Sequence, residues 1–319
     1  MSFQKLVVKE TSSIPVIDFK ELTMDDKKVF EHDKLQSACK DWGVFQLTNH
    51  GVCSSLIKKL DKAIENFYGL PLEEKMKFAP QLGNSQGYGQ AIVGEGVNSD
   101  HVERFYMNSY PINTRQPHLL PKLPPSLRES LEAYLEELEK LAISLLGCLA
   151  KTLKIDREVM LKMYEKGMQS VRMNYYPPYS KPELVTGLGT HSDGSAITIV
   201  HQVDGVDGLQ VKQDGVWIPV EFIPNAFVVN IGDILEIWSN GVYKSPEHKV
   251  TVNEHTRRIS IGVFFMPKQE AEIGPAHSLI NSTNPALFTS VTMDKYLKEF
   301  FSRKLAVKTY LDHMKINKF

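Results

Sequence analysis

Three side chains in the second half of the chain have the types and spacing of a metal site. His191 and Asp193 are separated by a single residue, and His248 follows 55 residues after Asp193. On an extended chain alternate side chains point to the same face, so the first two can reach one ion. Two histidines and one carboxylate occupy one face of an octahedron and leave three positions open, as in non-haem iron(II) sites. Because zinc is usually held in a more closed site, the pattern predicts iron(II).

A second group of residues follows shortly after the last of these candidates. Arg258 lies ten residues beyond His248 and Ser260 lies two further, so both face the same side of a strand. A guanidinium fork and a hydroxyl can hold the remote carboxylate of a dicarboxylate, for which lysine would fit poorly. An HxD triplet alone is a weak signal in a chain with ten histidines. Together the two groups predict an iron site with an anchor for a dicarboxylic co-substrate.

The elements that must position these residues change character along the chain. The first half is mixed, with strand patterns at 14–19 and 43–47 and helical patterns at 27–42 and 54–68. After two consecutive prolines, apolar residues recur every three or four positions from 127 to 149. This periodicity predicts one long helix whose apolar stripe packs against a sheet.

From residue 171 onward the pattern is one of short strands rich in valine and isoleucine, separated by Asp-Gly and Asn-Gly turns. The predicted strands include 197–200, 209–212, 226–230, 249–252 and 259–265. Many short strands at this spacing suggest a double-sheet jelly roll. We expect an α+β fold with a double-stranded β-helix (jelly-roll) core and surrounding helices. The expected divisions are an N-terminal mixed α/β region (1–120), a long helical scaffold (121–166), the jelly-roll catalytic core (167–270) and a C-terminal helical segment (271–319).

Composition narrows the class of partner. Lys plus Arg total 37 against 38 Asp plus Glu, so no net field attracts nucleic acid or anionic lipid. The three cysteines are widely spread without a CxxC pair, which argues against a disulfide framework or a zinc site. The first 13 residues lack the apolar core of a signal peptide. We expect a cytoplasmic monomer with a small-molecule substrate and no nucleic-acid or membrane partner.

Six short strings of the sequence are distinctive. They are HSD (191–193), SPEHKV (245–250), RRIS (257–260), NYYPP (174–178), DWGVFQLTNHG (41–51) and PLEEKMKF (71–78). They resemble the plant-type 2-oxoglutarate and iron(II)-dependent dioxygenase family, and the likeness runs from about residue 14 to residue 316. The resemblance implies the same jelly-roll core that the strand pattern predicts.

The resemblance also implies a role for particular side chains. The implied iron(II) ligands are His191, Asp193 and His248. The implied 2-oxoglutarate contacts are Arg258, Ser260, Asn174 and Tyr176. The positions that match substrate-facing residues of the family are Tyr88, Phe105, Arg172 and Phe264. Each of these last four also has an ordinary interpretation, as barrel core for the aromatics and as surface for the arginine.

Three further strings suggest a branch of the family. GDILEIWSNGVYKS (232–245), PALF (285–288) and FFSRKL (300–305) resemble the branch that includes alkaloid O-demethylases. The expected activity is hydroxylation or oxidative dealkylation of a bulky apolar plant secondary metabolite, such as an alkaloid, with release of succinate and carbon dioxide. Dioxygen is the expected second co-substrate and ascorbate the expected reductant.

Two other functions stay open from the sequence. One is an iron oxidase that does not use 2-oxoglutarate, similar to aminocyclopropane-carboxylate oxidase. Asn174 argues against it, as does the lack of that group's basic C-terminal motif in 303–319. The other is a catalytically silent barrel that binds a small molecule. The complete set of ligand and anchor residues argues against that second alternative.

Overall fold

The computed structural model describes residues 13–24, 28–90, 100–302 and 309–316. Its strands are β1 (Val16–Asp18), β2 (Val44–Thr48), β3 (Gly87–Gln90), β4 (Glu103–Tyr110), β5 (Met168–Tyr176), β6 (Leu188–His191), β7 (Ile197–Gln202), β8 (Leu209–Gln213), β9 (Val216–Pro219), β10 (Phe227–Ile231), β11 (His248–Val250), β12 (Arg258–Met266), β13 (Glu272–Ile273) and β14 (Val291–Thr292). Its α-helices are α1 (Phe19–Thr23), α2 (Lys28–Ser37), α3 (Ser54–Tyr68), α4 (Leu72–Met76), α5 (Pro125–Thr152), α6 (Arg157–Tyr164), α7 (Asp233–Trp238), α8 (Met293–Ser302) and α9 (Thr309–Met314). No helix in these ranges is long and apolar enough to cross a membrane.

Two sheets form the centre of the molecule. The larger has eight strands in the order β1-β2-β10-β7-β12-β5-β4-β3, and the smaller has four in the order β6-β11-β8-β9. All neighbours in both sheets are antiparallel except β1 and β2. Side chains of the two sheets meet in one buried cluster, which includes Tyr176, Leu209 and Val228. This confirms the predicted jelly-roll core.

The long predicted helix is present as α5, and it covers the other face of the larger sheet. It begins at Pro125, a residue suited to the first helical turn because the turn needs no hydrogen bond from its nitrogen. Leu131, Leu138 and Leu145 on its apolar stripe are all fully buried. They belong to a large cluster that also contains residues of α3 and of the central strands. The helices therefore brace the sheet from the side opposite the smaller sheet.

Strand β12 lies at the centre of this arrangement, between β5 and β7. Successive side chains of a strand point to opposite faces of its sheet. Ile259, Ile261 and Val263 face the helices and are fully buried in that core. Arg258 and Ser260 alternate with them and line a cavity between the sheets. The same strand thus serves the core on one face and a polar pocket on the other.

The helical segment that contains α2 ends at a position that requires glycine. The predicted helix 27–42 divides into α2 and a π-helical turn, Ala38–Trp42, which ends at Gly43. Gly43 has a left-handed φ of 69°. A Cβ atom there would lie 2.1 Å from the backbone oxygen of Lys244. Since no side chain fits this conformation and this approach, glycine fixes where the chain turns into β2.

Candidate active site

The three predicted metal ligands meet at one end of the smaller sheet. His191 ends β6 and His248 begins β11, and the antiparallel register places the two directly opposite each other. Asp193 Oδ1 lies 3.8 Å from His191 Nε2 and 3.6 Å from His248 Nε2. One ligand atom from each residue lies within 4.8 Å of the others. It is the only cluster of three potential ligands found in the described ranges.

Backbone hydrogen bonds fix the orientation of both imidazole rings. His191 Nδ1 lies 2.7 Å from the carbonyl oxygen of Gly189, and His248 Nδ1 lies 3.1 Å from that of Pro246. A carbonyl oxygen only accepts, so each Nδ1 carries the hydrogen and donates it. Each Nε2 is therefore left with its lone pair directed toward the other ligands, which is the arrangement of metal-binding histidines.

The electrostatics of His191 and Asp193 favour the protonation states that a cation needs. Burial, the largest cause, and the neighbouring His248 together lower the pKa of His191 to about 3, against the opposing effect of Asp193. Burial disfavours the charged form of Asp193, but the two histidines and hydrogen bonds from Thr198 and Asn230 outweigh it, so its pKa is lowered. The Asn230 amide donates to Asp193 Oδ2 over 3.3 Å. The site therefore presents a neutral imidazole at His191 and a carboxylate at Asp193.

A buried arginine faces the same cavity from the larger sheet. Arg258 is 2% exposed, and its Nη1 donates to Ser260 Oγ over 3.1 Å. Its guanidinium stacks 5.2 Å from the ring centre of Tyr176, which pairs with it across the strands. Ser260 pairs in turn with Asn174 on β5. The four predicted co-substrate contacts thus form one patch on neighbouring strands.

The described residues of this patch satisfy the buried guanidinium of Arg258 only in part. Arg258 Nε has no hydrogen-bond partner in the described part of the chain, and no described carboxylate forms an ion pair with the guanidinium. Burial lowers the pKa of Arg258, with Tyr176 and Asp204 opposing the shift. Leaving such a group unpaired costs about 1–3 kcal/mol or more. A dicarboxylate with one end on Arg258 and the other at the ligand triad fits this donor set.

Nine of the eleven predicted site residues border a single cavity between the sheets. They are Arg172, Asn174, Tyr176, His191, Asp193, His248, Arg258, Ser260 and Phe264. Phe265, the residue after Phe264 on β12, packs in the helix-covered core. The sequence pattern therefore predicts most of the residues that line this pocket.

The structure does not bring the other two candidates, Tyr88 and Phe105, to the cavity. They pair with each other on β3 and β4, and both face the helices. Their rings lie 6.2 Å and 5.4 Å from the ring centre of Phe67 on α3. The Tyr88 hydroxyl donates to Glu103, which also receives Lys75 Nζ at 2.8 Å. Side chains alternate between the two faces of a strand. Both rings lie on the face of β3 and β4 that packs against the helices, so neither borders the cavity where substrate contact was expected.

Several residues that border the cavity were missed. The lining also includes Leu188, Thr198, Val200, Leu209, Asn230, Val250 and Gly262. Thr198 and Val200 could have been found from the two-residue period of β7, once its face toward the metal was known. Gly262 lies between Ser260 and Phe264 on the pocket face of β12, so its spacing was a usable signal.

Comparisons with known families agree with this geometry. Residues 167–267 match the 2OG-Fe(II) oxygenase superfamily. Residues 14–126 match the family described as non-haem dioxygenase in morphine synthesis N-terminal. The chain belongs to the 2OG-Fe(II) oxygenase superfamily.

Individual proteins of this superfamily are similar to nearly the whole chain. The chain is 45% identical over 306 residues to oxoglutarate-dependent flavonoid 7-O-demethylase 1 of Ocimum basilicum, covering 96% of this chain and 82% of that protein. It is 44% identical over 313 residues to codeine O-demethylase of Papaver somniferum, covering 97% and 87%. The solved structure of JOX2 in complex with 2OG, Fe and JA superposes with a TM-score of 0.88 at 32% identity, covering 96% of this chain and 90% of that one.

The fold, the site and these relatives together define the reaction class. The protein is a 2-oxoglutarate- and iron(II)-dependent dioxygenase that acts on a small molecule. Iron(II) and 2-oxoglutarate are its cofactors. This conclusion is favoured over the iron oxidase without 2-oxoglutarate and over the silent barrel.

Proposed function

We propose that the enzyme removes a methyl group from an aryl ether of a bulky plant secondary metabolite, or hydroxylates such a compound. The proposal is supported by two O-demethylases of plants, one for flavonoids and one for codeine, at 45% and 44% identity. Hydroxylation of a methoxy carbon gives a hemiacetal, which collapses to the free hydroxyl and formaldehyde. Both outcomes therefore need the same oxidising site and differ only in which carbon is presented to it.

We assign the metal to His191 Nε2, His248 Nε2 and one oxygen of Asp193. The observation that carries the assignment is the meeting of these three atoms within 4.8 Å, with both Nδ1 atoms already engaged by carbonyls. When bound, iron(II) together with 2-oxoglutarate and dioxygen supplies an oxidant able to remove hydrogen from an unactivated carbon. The triad leaves room for these ligands because it supplies only three donors.

The larger sheet would orient 2-oxoglutarate relative to the metal. Arg258 and Ser260 would hold the far carboxylate of 2-oxoglutarate, which pairs the buried guanidinium and satisfies its free Nε donor. Asn174 and Tyr176 on the adjacent strand would add hydrogen bonds. Since both ends of the molecule are then fixed, its keto group can face the metal in only one way.

The organic substrate would lie against the part of the cavity beyond these anchors. Phe264 and Arg172 border that part, and Gly262 between them carries no side chain. Phe264 offers an aromatic wall, as expected for a mostly apolar pocket with few orienting polar groups. We also propose that dioxygen is the second co-substrate, that ascorbate keeps the metal reduced, and that the enzyme works as a cytoplasmic monomer without nucleic-acid or membrane partners.

The test is a coupled product assay. The purified protein receives iron(II), ascorbate and 2-oxoglutarate in air, together with a panel of methoxylated flavonoids and alkaloids. The proposal expects succinate with every productive compound, and formaldehyde in equal amount for an O-demethylation. His191→Ala should abolish succinate formation, whereas the control His255→Ala, at a side chain that is 81% exposed, should retain it. No succinate above that of protein-free samples with any compound would contradict the proposal.

A further inference from the structure

Asn230 is a polar residue on a strand that is otherwise apolar. Strand β10 has the sequence FVVNI, and all five of its residues are buried. Successive side chains of a strand alternate between its faces, so Val228 and Asn230 point to the same side. Val228 packs in the cluster between the two sheets, and Asn230, which is 2% exposed, borders the cavity. An amide in this place is costly to bury unless it has a hydrogen-bond partner.

The partner of this amide is a proposed metal ligand. Asn230 Nδ2 donates to Asp193 Oδ2 over 3.3 Å. A carboxylate oxygen only accepts hydrogen bonds, so Nδ2 and not Oδ1 of the amide must face Asp193. Asn230 Oδ1 is then left buried without a hydrogen-bond partner among the residues that the structure describes. Because an unsatisfied buried acceptor destabilises a fold, the contact with Asp193 accounts for an asparagine here better than the packing of β10 does.

The side chain of Asp193 could otherwise present either of its oxygens. Its main chain is fixed at the start of α7, where the Asp233 N–H donates to the Asp193 carbonyl oxygen over 2.8 Å. The torsion that turns a carboxylate is broad and roughly twofold, so it favours neither oxygen. Oδ1 lies 3.8 Å and 3.6 Å from the Nε2 atoms of His191 and His248, while Oδ2 is engaged by Asn230. The amide thus selects Oδ1 as the oxygen that faces the two imidazoles.

This selection decides how many positions on the metal stay open. A carboxylate can bind a cation through one oxygen or through both. Two histidines and a carboxylate that uses one oxygen leave three positions of an octahedral ion open. 2-Oxoglutarate needs two of these positions and dioxygen needs the third. A second oxygen from Asp193 would therefore compete with the co-substrates, although it would still hold the ion.

We propose that Asn230 is a positioning residue that restricts Asp193 to a single metal-binding oxygen and so keeps open the positions that 2-oxoglutarate and dioxygen need. This rests on the proposed assignment of the metal to the triad, and it names the residue that limits the number of donors. Without the amide, the carboxylate can turn both oxygens toward the ion. Loss of Asn230 should then weaken the binding of 2-oxoglutarate more than the binding of iron(II).

The test uses Asn230→Leu, which keeps a similar volume and removes the amide. Thr198, which also hydrogen-bonds the Asp193 carboxylate, is unchanged in this variant. Calorimetric titration without air measures the affinity for iron(II), and then the affinity of the iron-saturated protein for 2-oxoglutarate. We expect 2-oxoglutarate to bind about 10- to 100-fold more weakly than to wild type, the scale for losing an outer partner of a metal ligand. The affinity for iron(II) alone should fall by a smaller factor.

A spectroscopic measurement separates this role from a structural one. A 2-keto acid that binds iron(II) through both its keto oxygen and its carboxylate gives a visible charge-transfer absorption. We expect Asn230→Leu to show less of this absorption per bound 2-oxoglutarate than wild type. Val228→Ala is the matched control, because it perturbs the same face of β10 without removing a contact to Asp193. It should lower stability and leave both the affinity for 2-oxoglutarate and the absorption as in wild type.

A crystal structure of the wild-type protein with iron(II), grown without air, tests the proposal independently of any variant. We expect Asp193 to bind the metal through Oδ1 alone, with Asn230 Nδ2 on Oδ2. Both oxygens on the metal, equal 2-oxoglutarate affinity in wild type and Asn230→Leu, or the same loss in Val228→Ala would overturn the proposal. Iron(II) titration of Asp193→Ala tests the assignment of the metal separately, because retained iron binding there would contradict the triad itself.

Discussion

The two faces of strand β12 show how one segment supports both stability and chemistry. On the helix side Ile259, Ile261 and Val263 are fully buried among apolar neighbours. On the pocket side Arg258 and Ser260 are just as inaccessible, at 2% and 3% exposure, yet they are polar. The first face has its partners within the protein, whereas the second retains a buried donor, Arg258 Nε, that the described residues do not satisfy.

This difference distinguishes residues that stabilise the fold from residues that are available to bind a ligand. Buried polar groups in proteins are normally hydrogen-bonded, so several unsatisfied ones around one cavity support a ligand site there. Arg258 Nε, Asn174 Oδ1 and two donors of Arg172 all lie on the pocket face. Substitutions on the two faces should therefore affect different measurements.

The largest effect is expected where the pocket face meets the metal. Asp193→Ala removes the buried carboxylate between the two imidazoles, and we expect iron(II) affinity to fall by more than about 100-fold, since even outer partners of metal ligands contribute about 10- to 100-fold. Anaerobic calorimetric titration with iron(II) measures it. His255→Ala, on the surface, should titrate like wild type. If Asp193→Ala bound iron(II) with wild-type affinity, the assignment of the metal site to this triad would be contradicted.

The next effect lies on the opposite face of the same strand. Ile261→Ala should lower the free energy of unfolding by about 2–5 kcal/mol, because it leaves a cavity in a fully buried position. Denaturant unfolding measures this change. The affinity for 2-oxoglutarate should stay close to that of wild type. A large loss of affinity with little loss of stability would mean that the two faces are not separable.

Ser260→Ala tests the neighbouring residue on the pocket face. Loss of the hydroxyl that receives Arg258 Nη1 should raise the KM for 2-oxoglutarate by about 10-fold. The free energy of unfolding should fall by about 1–3 kcal/mol, because the buried Arg258 Nη1 loses its acceptor. Steady-state succinate formation at varied 2-oxoglutarate concentration measures the first, and denaturant unfolding the second. An effect on stability alone would assign Ser260 to the core instead.

The smallest expected effect is at Gly262. Gly262→Ala adds a methyl group at ordinary contact distance from Phe264 and Thr198, so the fold should tolerate it. The methyl group occupies space that we assign to the organic substrate. We expect the substrate KM to rise by roughly 10-fold, the lower end of the scale for one methylene in a pocket. The KM for 2-oxoglutarate should not change. Equal changes in both constants would indicate a general distortion of β12.

Much of the architecture could be predicted from the sequence because local periodicity determines it. The apolar stripe of α5 and the alternation of polar and apolar side chains at the start of β12 follow directly from the order of the residues. The proximity of the metal triad was also predictable in part, since Asp193 follows His191 by two residues at the end of β6 and His248 begins β11. Nine of the eleven predicted site residues reach the cavity for the same reason.

What could not be predicted depends on strand pairing. Tyr88 and Phe105 carry suitable rings, but only the β3–β4 register shows that both face α3. The pocket role of Thr198 and Val200 likewise depends on β7 lying beside β12. The proximity of Arg104 to Arg172 arises from the pairing of β4 with β5, although the two residues are 68 positions apart in the sequence. Such contacts are set by the tertiary fold and leave no local pattern.

The central claim is that the pocket face of β12 binds 2-oxoglutarate beside the metal. Anaerobic titration of the iron(II)-loaded protein with 2-oxoglutarate tests it on two adjacent arginines that point to different environments. We predict that Arg258→Gln binds 2-oxoglutarate about 10- to 100-fold more weakly than wild type, whereas Arg257→Gln, exposed and paired with Glu65, binds it equally well. Unchanged binding in Arg258→Gln, or equal weakening in both variants, would contradict the account.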